Sequence, residues 1–288
     1  MKALAGATLV TPDLDAAIFD YAASLGYRGA VDRVNQMRAL SWGCPEAEGA
    51  RMATLFPESG ERRFIRLVEG MPAPSYKPFL SVGWNAIEIV VENLDLLAAR
   101  LETSPFPIIG PPATLDLGFT DSIRAMQVVG SGGEVLYLTE IAGEIPGFDL
   151  PKAKSFVGQP FIMVLGGTSI EQAGALAARL GRPSGPVIKA RVGVISDVYD
   201  LSPGTRHSLA TVPLDDQSLV ELDALPKGAG PRPLSSVGLP SGIAIATFQA
   251  DETSPDGVPV LGRYEDDTEA VTVFTGDSGE MIELVKYK

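Results

Sequence analysis

The stretch GSGGEVLYLTEI, residues 130–141, admits two readings that lead to different folds. A glycine-rich turn that opens a helix is a phosphate cradle, whereas one that opens a strand is a hairpin. The flanking residues decide. AMQVVGSGGEVLYLTEI (125–141) carries the alternation of a strand on both sides of Gly130 to Gly133. The stretch is therefore a hairpin turn, and the P-loop and dinucleotide readings fail on context. The same turn-then-strand phrase recurs as SGERRFIRLVEG (59–70), DDQSLVELDAL (215–225) and GDSGEMIELVKY (276–287).

Each phrase closes a longer unit. GATLVTPDLDAAIFDYAASLGY (6–27) is an apolar strand, a Pro-Asp break and a helical pattern, with Asp13 as its cap and Ile18, Phe19, Ala22 and Leu25 as its apolar positions. NAIEIVVENLDLLAARLETS (85–104) repeats the formula, with Asn93 as cap and Leu94, Leu97, Ala98 and Leu101 on one side. FIMVLGGTSIEQAGALAARLG (161–181) repeats it again, with Ser169 at the turn and Gly181 as the stop. GIAIATFQADETSPDG (242–257) has the strand, but Pro255 and Gly257 break any helix. Four βαβββ-like units result, over 1–70, 82–141, 158–226 and 238–288. In the first, VDRVNQMRALSW (31–42) reads as a helix rather than a second strand. Of the Pro/Gly-rich stretches 69–78, 142–155 and 225–236, the middle one marks the expected boundary, giving domains 1–150 and 151–288 with two adjacent units in each.

Composition narrows the function classes. The 288 residues are 45% hydrophobic and 20% charged, which suits a folded globular chain. A net charge of −13, with no basic cluster, argues against nucleic acid or an anionic membrane as partner. Cys44 is the single cysteine, so an intrachain disulfide and a cysteine metal cage are both excluded. No apolar run approaches the roughly 18 residues of a membrane span. A soluble cytoplasmic protein is expected, as a monomer or a homodimer, with a small molecule as its partner.

The openings TLVTPDLDAAIFDYAASLGY and IEIVVENLDLLAARL, together with the ending SGEMIELV, resemble the vicinal oxygen chelate superfamily of glyoxalases, bleomycin-resistance proteins and extradiol dioxygenases. The resemblance covers nearly the whole chain. It implies an α+β fold in which paired βαβββ modules form cupped, partly closed mixed sheets. In metal-using members, a His on a module's first strand and a Glu on its last strand converge inside the cup. Carried over, the first-strand positions are Gly6, Ala86, Ile162 and Gly242, none of them a ligand. The last-strand positions hold Arg66, Tyr137, Glu221 and Glu283. Half the usual set survives, so no cofactor is expected. A divalent ion held weakly by Glu221 and Glu283 is the remaining metal option, Mg or Ca rather than a transition metal.

The candidate chemistry follows from these positions. His207, the only histidine, shares a strand face with residues 209 and 211 and is a natural proton shuttle; the plainer reading is a strand-end histidine. Glu221 and Glu283 face the cup by the carry-over, where burial raises a carboxyl pKa and suits it to proton abstraction beside a carbonyl. Glu88, two residues beyond Ala86, shares that face. Arg66 and Tyr137 are the expected donors to a substrate oxygen, with Arg51 a further candidate. Cys44 reads as a packed small side chain, and Trp42, Trp84, Phe119 and Tyr264 are candidate pocket walls. The leading expectation is a metal-independent lyase or isomerase that moves a proton on a small apolar carbonyl or aromatic metabolite. A non-catalytic cup of the bleomycin-resistance type is the alternative, and a divalent-metal dioxygenase or glyoxalase using Glu221 and Glu283 is the third.

Overall fold

The computed structural model describes residues 1–288 apart from 119, 254 and 256. The first unit runs β1 (Leu4–Thr11), α1 (Leu14–Leu25), β2 (Arg28–Arg33), α2 (Gln36–Ser41), β3 (Arg51–Phe56) and β4 (Phe64–Glu69). The second runs β5 (Gly83–Val91), α3 (Leu94–Leu101), β6 (Ile108–Thr114), β7 (Ile123–Val129) and β8 (Val135–Ile141). The third runs β9 (Val157–Gly167), α4 (Ile170–Arg179), β10 (Ile188–Arg191), α5 (Gly193–Val198), β11 (Arg206–Pro213) and β12 (Leu219–Ala224). The fourth has β13 (Ile243–Gln249), β14 (Gly262–Glu265), β15 (Glu269–Thr275) and β16 (Met281–Tyr287), with no helix among its described residues.

Local chemistry explains the elements. Asp13, Asn93 and Ser169 each accept a hydrogen bond from the third residue of the helix that follows, which satisfies a backbone N–H the helix leaves open. Helix α1 turns a face different from the expected one inward: Leu14, Ala17, Tyr21 and Leu25 are buried while Phe19 is exposed. The segment 31–42 divides, its first three residues ending β2 and its later ones forming α2 with Asn35 as cap. Gly130 accepts its place in a tight turn, where its N–H donates to the Glu134 carbonyl at 2.9 Å.

The pairing of units departs from the expected one. One sheet has the order β14-β15-β16-β13-β1-β4-β3-β2 and the other β10-β11-β12-β9-β5-β8-β7-β6. Unit one therefore joins unit four through antiparallel β1 and β13, and unit two joins unit three through β5 and β9. A division at 150/151 into two adjacent pairs cuts through both sheets. The arrangement is nested because each sheet has two apolar faces to cover. One face of each packs against the other sheet in a shared core that includes Leu9, Ile87, Met163, Phe248 and the inner faces of α1, α3 and α4. The opposite faces form two separate clusters, one inside each cup. Both cups are thus built within one chain.

The hairpin turns lock the sheets together. Ser131 Oγ lies 3.0 Å from Thr11 Oγ1, and Tyr21 donates to the Glu134 carboxylate at 2.9 Å. A Cβ on Gly132 would sit 2.1 Å from the Val10 carbonyl oxygen, so only glycine permits this approach. The fourth unit repeats the turn, with Ser278 N–H donating to Glu280 at 2.9 Å, but no tyrosine reaches Glu280 Oε1. The substitution Gly132→Val is expected to lower stability by about 1–3 kcal/mol, the usual effect of overpacking, measured by urea denaturation.

Candidate functional site

In each unit the last strand runs parallel to the first, and the register fixes which residues face each other. Thr8 lies opposite Arg66, Glu88 opposite Tyr137, Val164 opposite Glu221 and Thr247 opposite Glu283. The four last-strand positions are therefore equivalent, as the sequence phrases implied. The first-strand partners sit two residues beyond the expected Gly6, Ala86 and Ile162, and Gly242 precedes its strand altogether. None of the eight is a histidine or cysteine.

The cup of units one and four is filled by its own side chains. Glu283 Oε1 accepts from Arg66 Nη1 at 3.1 Å and Thr247 Oγ1 at 2.9 Å, and Oε2 accepts from Trp42 Nε1 at 2.9 Å. Arg66 also donates to Thr8 at 3.2 Å and lies over the Phe64 ring at 4.5 Å. Burial pushes the Glu283 carboxyl up, but the Arg66 and Arg38 charges and the hydrogen bonds from Trp42 and Arg66 outweigh it, so its pKa falls below the ordinary value. Two of the expected working residues thus neutralise each other. Arg66 does not join Tyr137 around a substrate oxygen, and Glu283 cannot share an ion with Glu221, because each pair is split between the two sheets.

The cup of units two and three holds a cavity of about 220 Å³. Glu88, Thr139, Phe161, Ile162, Leu219 and Glu221 form its floor, and Leu209 to Thr211 of β11 form one wall. Leu115 and Leu117 close one side and Ile145, Phe148 and Leu150 another, so the segment read as an interdomain linker supplies part of the pocket. A smaller lobe of about 70 Å³ continues past Glu88 and Glu221 to Tyr137, Asp116 and Arg191. Asp116 is held at the rim by Arg191 at 2.7 Å and Arg206 at 2.8 Å, which draws the β6–β7 loop toward the β10 edge.

Titration behaviour follows from this burial. Desolvation, reinforced by the Glu221 charge, pushes the Glu88 carboxyl up to about 8, against the hydrogen bond that Thr139 Oγ1 donates to it at 3.0 Å. Desolvation likewise pushes Glu221 up to about 7. Asp223, two residues along β12 on the same face, is raised well above the ordinary value by burial and then by Glu221 and Glu88. Its two oxygens have no hydrogen-bond partner among the described residues. Sequence reasoning missed Asp223, although strand alternation from Glu221 marks it.

The remaining candidates lie elsewhere. His207 shares the expected face of β11, but it is buried with Nε2 3.0 Å from Ser196 Oγ of α5 and does not line the cavity. Burial lowers its pKa, followed by the nearby Lys189 charge. Arg51 pairs with Asp15 and Glu69 outside both cups. Trp42 and Tyr264 pack in the filled cup, Trp84 donates to the Met281 carbonyl in the shared core, and Phe119 lies outside the described residues. Cys44 is buried, its thiol pushed up to about 11 by desolvation and then by Glu46, as a packing role requires.

The facing residues of the open cup do not match the donor set of a transition ion. A transition ion wants imidazole and carboxylate ligands with open positions. The open cup offers Glu88, Tyr137, Val164 and Glu221 at the four facing positions. No three His, Cys, Asp or Glu side chains among the described residues are arranged to hold an ion.

No protein-family model matches the sequence, and no curated protein matches it. Solved structures do. Glyoxalase I from Zea mays superposes with a TM-score of 0.64 at 15% identity, covering 99% of this chain and 92% of that one. A putative dioxygenase from Bacillus subtilis superposes with a TM-score of 0.65 at 14% identity, covering 99% and 84%. The chain shares the fold of these two structures, the vicinal oxygen chelate fold. No helix among the described residues is long and apolar enough to cross a membrane.

Two predictions follow from the contrast between the cups. Arg66→Met leaves Glu283 buried without its counter-charge and is expected to destabilise by about 3–5 kcal/mol, while Arg66→Met with Glu283→Met recovers most of the loss. Denaturant melts of the two variants check this. The raised carboxyls Glu88, Glu221, Glu134 and Glu280 bind protons more tightly folded than unfolded. Their stabilising contribution is full below their ordinary pKa of 4.5 and is lost as the pH rises through about 7 to 8. Glu221→Gln removes one of them, so its melting temperature should gain on that of the parent across this window.

Proposed function

We propose that the open cup binds a small, largely apolar carbonyl compound and moves a proton on it without a resident metal, as a lyase or isomerase. The observation that carries this reading is the Glu88 and Glu221 pair on the floor of an apolar cavity, with both carboxyls raised toward neutrality by burial. A group that titrates near the working pH is both available as base and able to return its proton.

The chemistry balances within the pair. One carboxylate takes a proton from the carbon beside the carbonyl, and the electron pair moves onto the carbonyl oxygen. The Tyr137 hydroxyl, at the inner lobe, is the donor placed to hold that oxygen. The protonated partner then delivers a proton to a neighbouring carbon or the oxygen. Thr139 fixes Glu88 through its hydrogen bond. The apolar walls keep water from competing, which strengthens each of these interactions. His207, Arg66 and Glu283 take no part in this scheme.

The test is exchange of carbon-bound hydrogen in D2O, followed by NMR over a panel of small aryl and alkyl ketones. Exchange by the parent protein should fall by about 10²–10⁴-fold in Glu221→Gln, the range of a general base, with the fold retained by circular dichroism. Binding of a panel member without exchange would instead assign the cup to sequestration.

A further inference from the structure

We propose that the ligand of the open cup carries a positive charge: a small organic cation, a protonated amine or a quaternary ammonium, on an apolar body. This rests on the reading of that cup as the working site and names the class of molecule it takes.

The molecule contains its own control. In the filled cup, Glu283 is matched by Arg66 from the other last strand, and the charge is neutralised inside the protein at 3.1 Å. In the open cup the last-strand pair is Glu221 and Tyr137, so the position of the guanidinium holds a phenol. The acids also increase. Glu88 stands where the first unit has Thr8, and Asp223 stands where the fourth has Val285. At these equivalent strand positions one cup thus has one acid and one base, and the other has three acids, of which Glu88 and Glu221 line the cavity. The bases at the rim of the open cup, Arg191 and Arg206, are both bound to Asp116.

Hydrogen-bond accounting points the same way. Glu88 is 5% exposed and lines the cavity, yet one donor alone, Thr139, reaches it among the described residues. Asp223 is 1% exposed and both its oxygens lack partners among the described residues, but it does not line the cavity, so Glu88 and Glu221 are the acids a ligand meets. Buried carboxyl oxygens without donors are costly, and an ammonium supplies both the donors and the charge. Aromatic walls complete the set. Phe161 borders the main cavity and Tyr137 its inner lobe, and ring faces attract a desolvated cation in a way a neutral ligand does not use. The apolar remainder of the cavity takes the hydrocarbon body. Without the ligand, burial keeps part of this acid population protonated near neutral pH, and the cation displaces those protons when it enters.

Titration calorimetry with three probes of one shape tests the class: phenethylamine, 2-phenylethanol and phenylacetate. At about pH 8 the amine should bind about tenfold or more tightly than the alcohol, the worth of one hydrogen bond to a charged group, and phenylacetate more weakly than either. Proton release on binding the amine should appear when buffers of different ionisation enthalpy are compared. Glu221→Gln and Glu88→Gln should each weaken amine binding by a larger factor than alcohol binding, so that the preference for the amine falls. Alcohol binding equal to that of the amine overturns the charge and leaves the proton-transfer reading standing, since ketone exchange is measured separately. Amine binding that persists in both variants, or that Mg²⁺ or Mn²⁺ abolishes by occupying the cup, overturns the proposal. Failure of all three probes to bind overturns it as well. Loss of ketone exchange with amine preference intact would instead sink the catalytic reading alone.

Discussion

The parallel pairing of first and last strand within every unit is the constraint from which the rest follows. It sets one first-strand and one last-strand side chain against each other on the concave face, four times over. Antiparallel pairing of first strands, β1 with β13 and β5 with β9, then brings two such pairs into each cup. Because side chains alternate along a strand, the residues between them must face the other sheet, and those positions are apolar throughout, Leu, Ile, Met, Phe, Val or Ala. One register therefore builds the shared core and the two concave sites together.

Having two copies of the site let the chain put different physics in each. The filled cup converts the inherited carboxylate into a structural ion pair, with Trp42, Thr247 and Thr8 satisfying the remaining hydrogen bonds. Such a pair is tolerable in the interior only when it is fully bonded. Helix α2, inserted between β2 and β3, brings Arg38 and Trp42 over this cup and closes it. In the open cup no base is paired with Glu88 or Glu221 among the described residues; α5 packs beside the inner lobe, and apolar loops wall the main cavity. Desolvation without compensation is what raises Glu88, Glu221 and Asp223 together. The same residue type on equivalent strands thus has its pKa moved in opposite directions by its neighbours.

The hairpin turns show a milder divergence. Glu134 and Glu280 occupy the same place in two similar turns, both buried and both pushed up to about 7 by desolvation. Tyr21 of α1 reaches Glu134, whereas the residue at the same helical position of α4 is Ala177, and Glu280 Oε1 has no partner among the described residues. The shared core tolerates one unsatisfied oxygen because the turn still supplies the Ser278 N–H.

Strand alternation, helix caps and the fourfold repeat are local properties, so the βαβββ units, the caps at Asp13, Asn93 and Ser169, and the equivalence of Arg66, Tyr137, Glu221 and Glu283 were all legible in the sequence. The inward orientation of Glu88 was legible for the same reason. Which units share a sheet was not, because pairing across some 240 residues, as between Leu4 and Phe248, leaves no periodic trace along the chain. That one undetermined fact decided the site. It separated Arg66 from Tyr137 and Glu221 from Glu283, joined Arg66 to Glu283, and left Glu88 and Glu221, with Asp223 behind them, at a cavity walled partly by an apparent linker. Residue types and faces are set by nearest neighbours along the backbone, but charge compensation depends on who is adjacent in space, and only the tertiary structure supplies that.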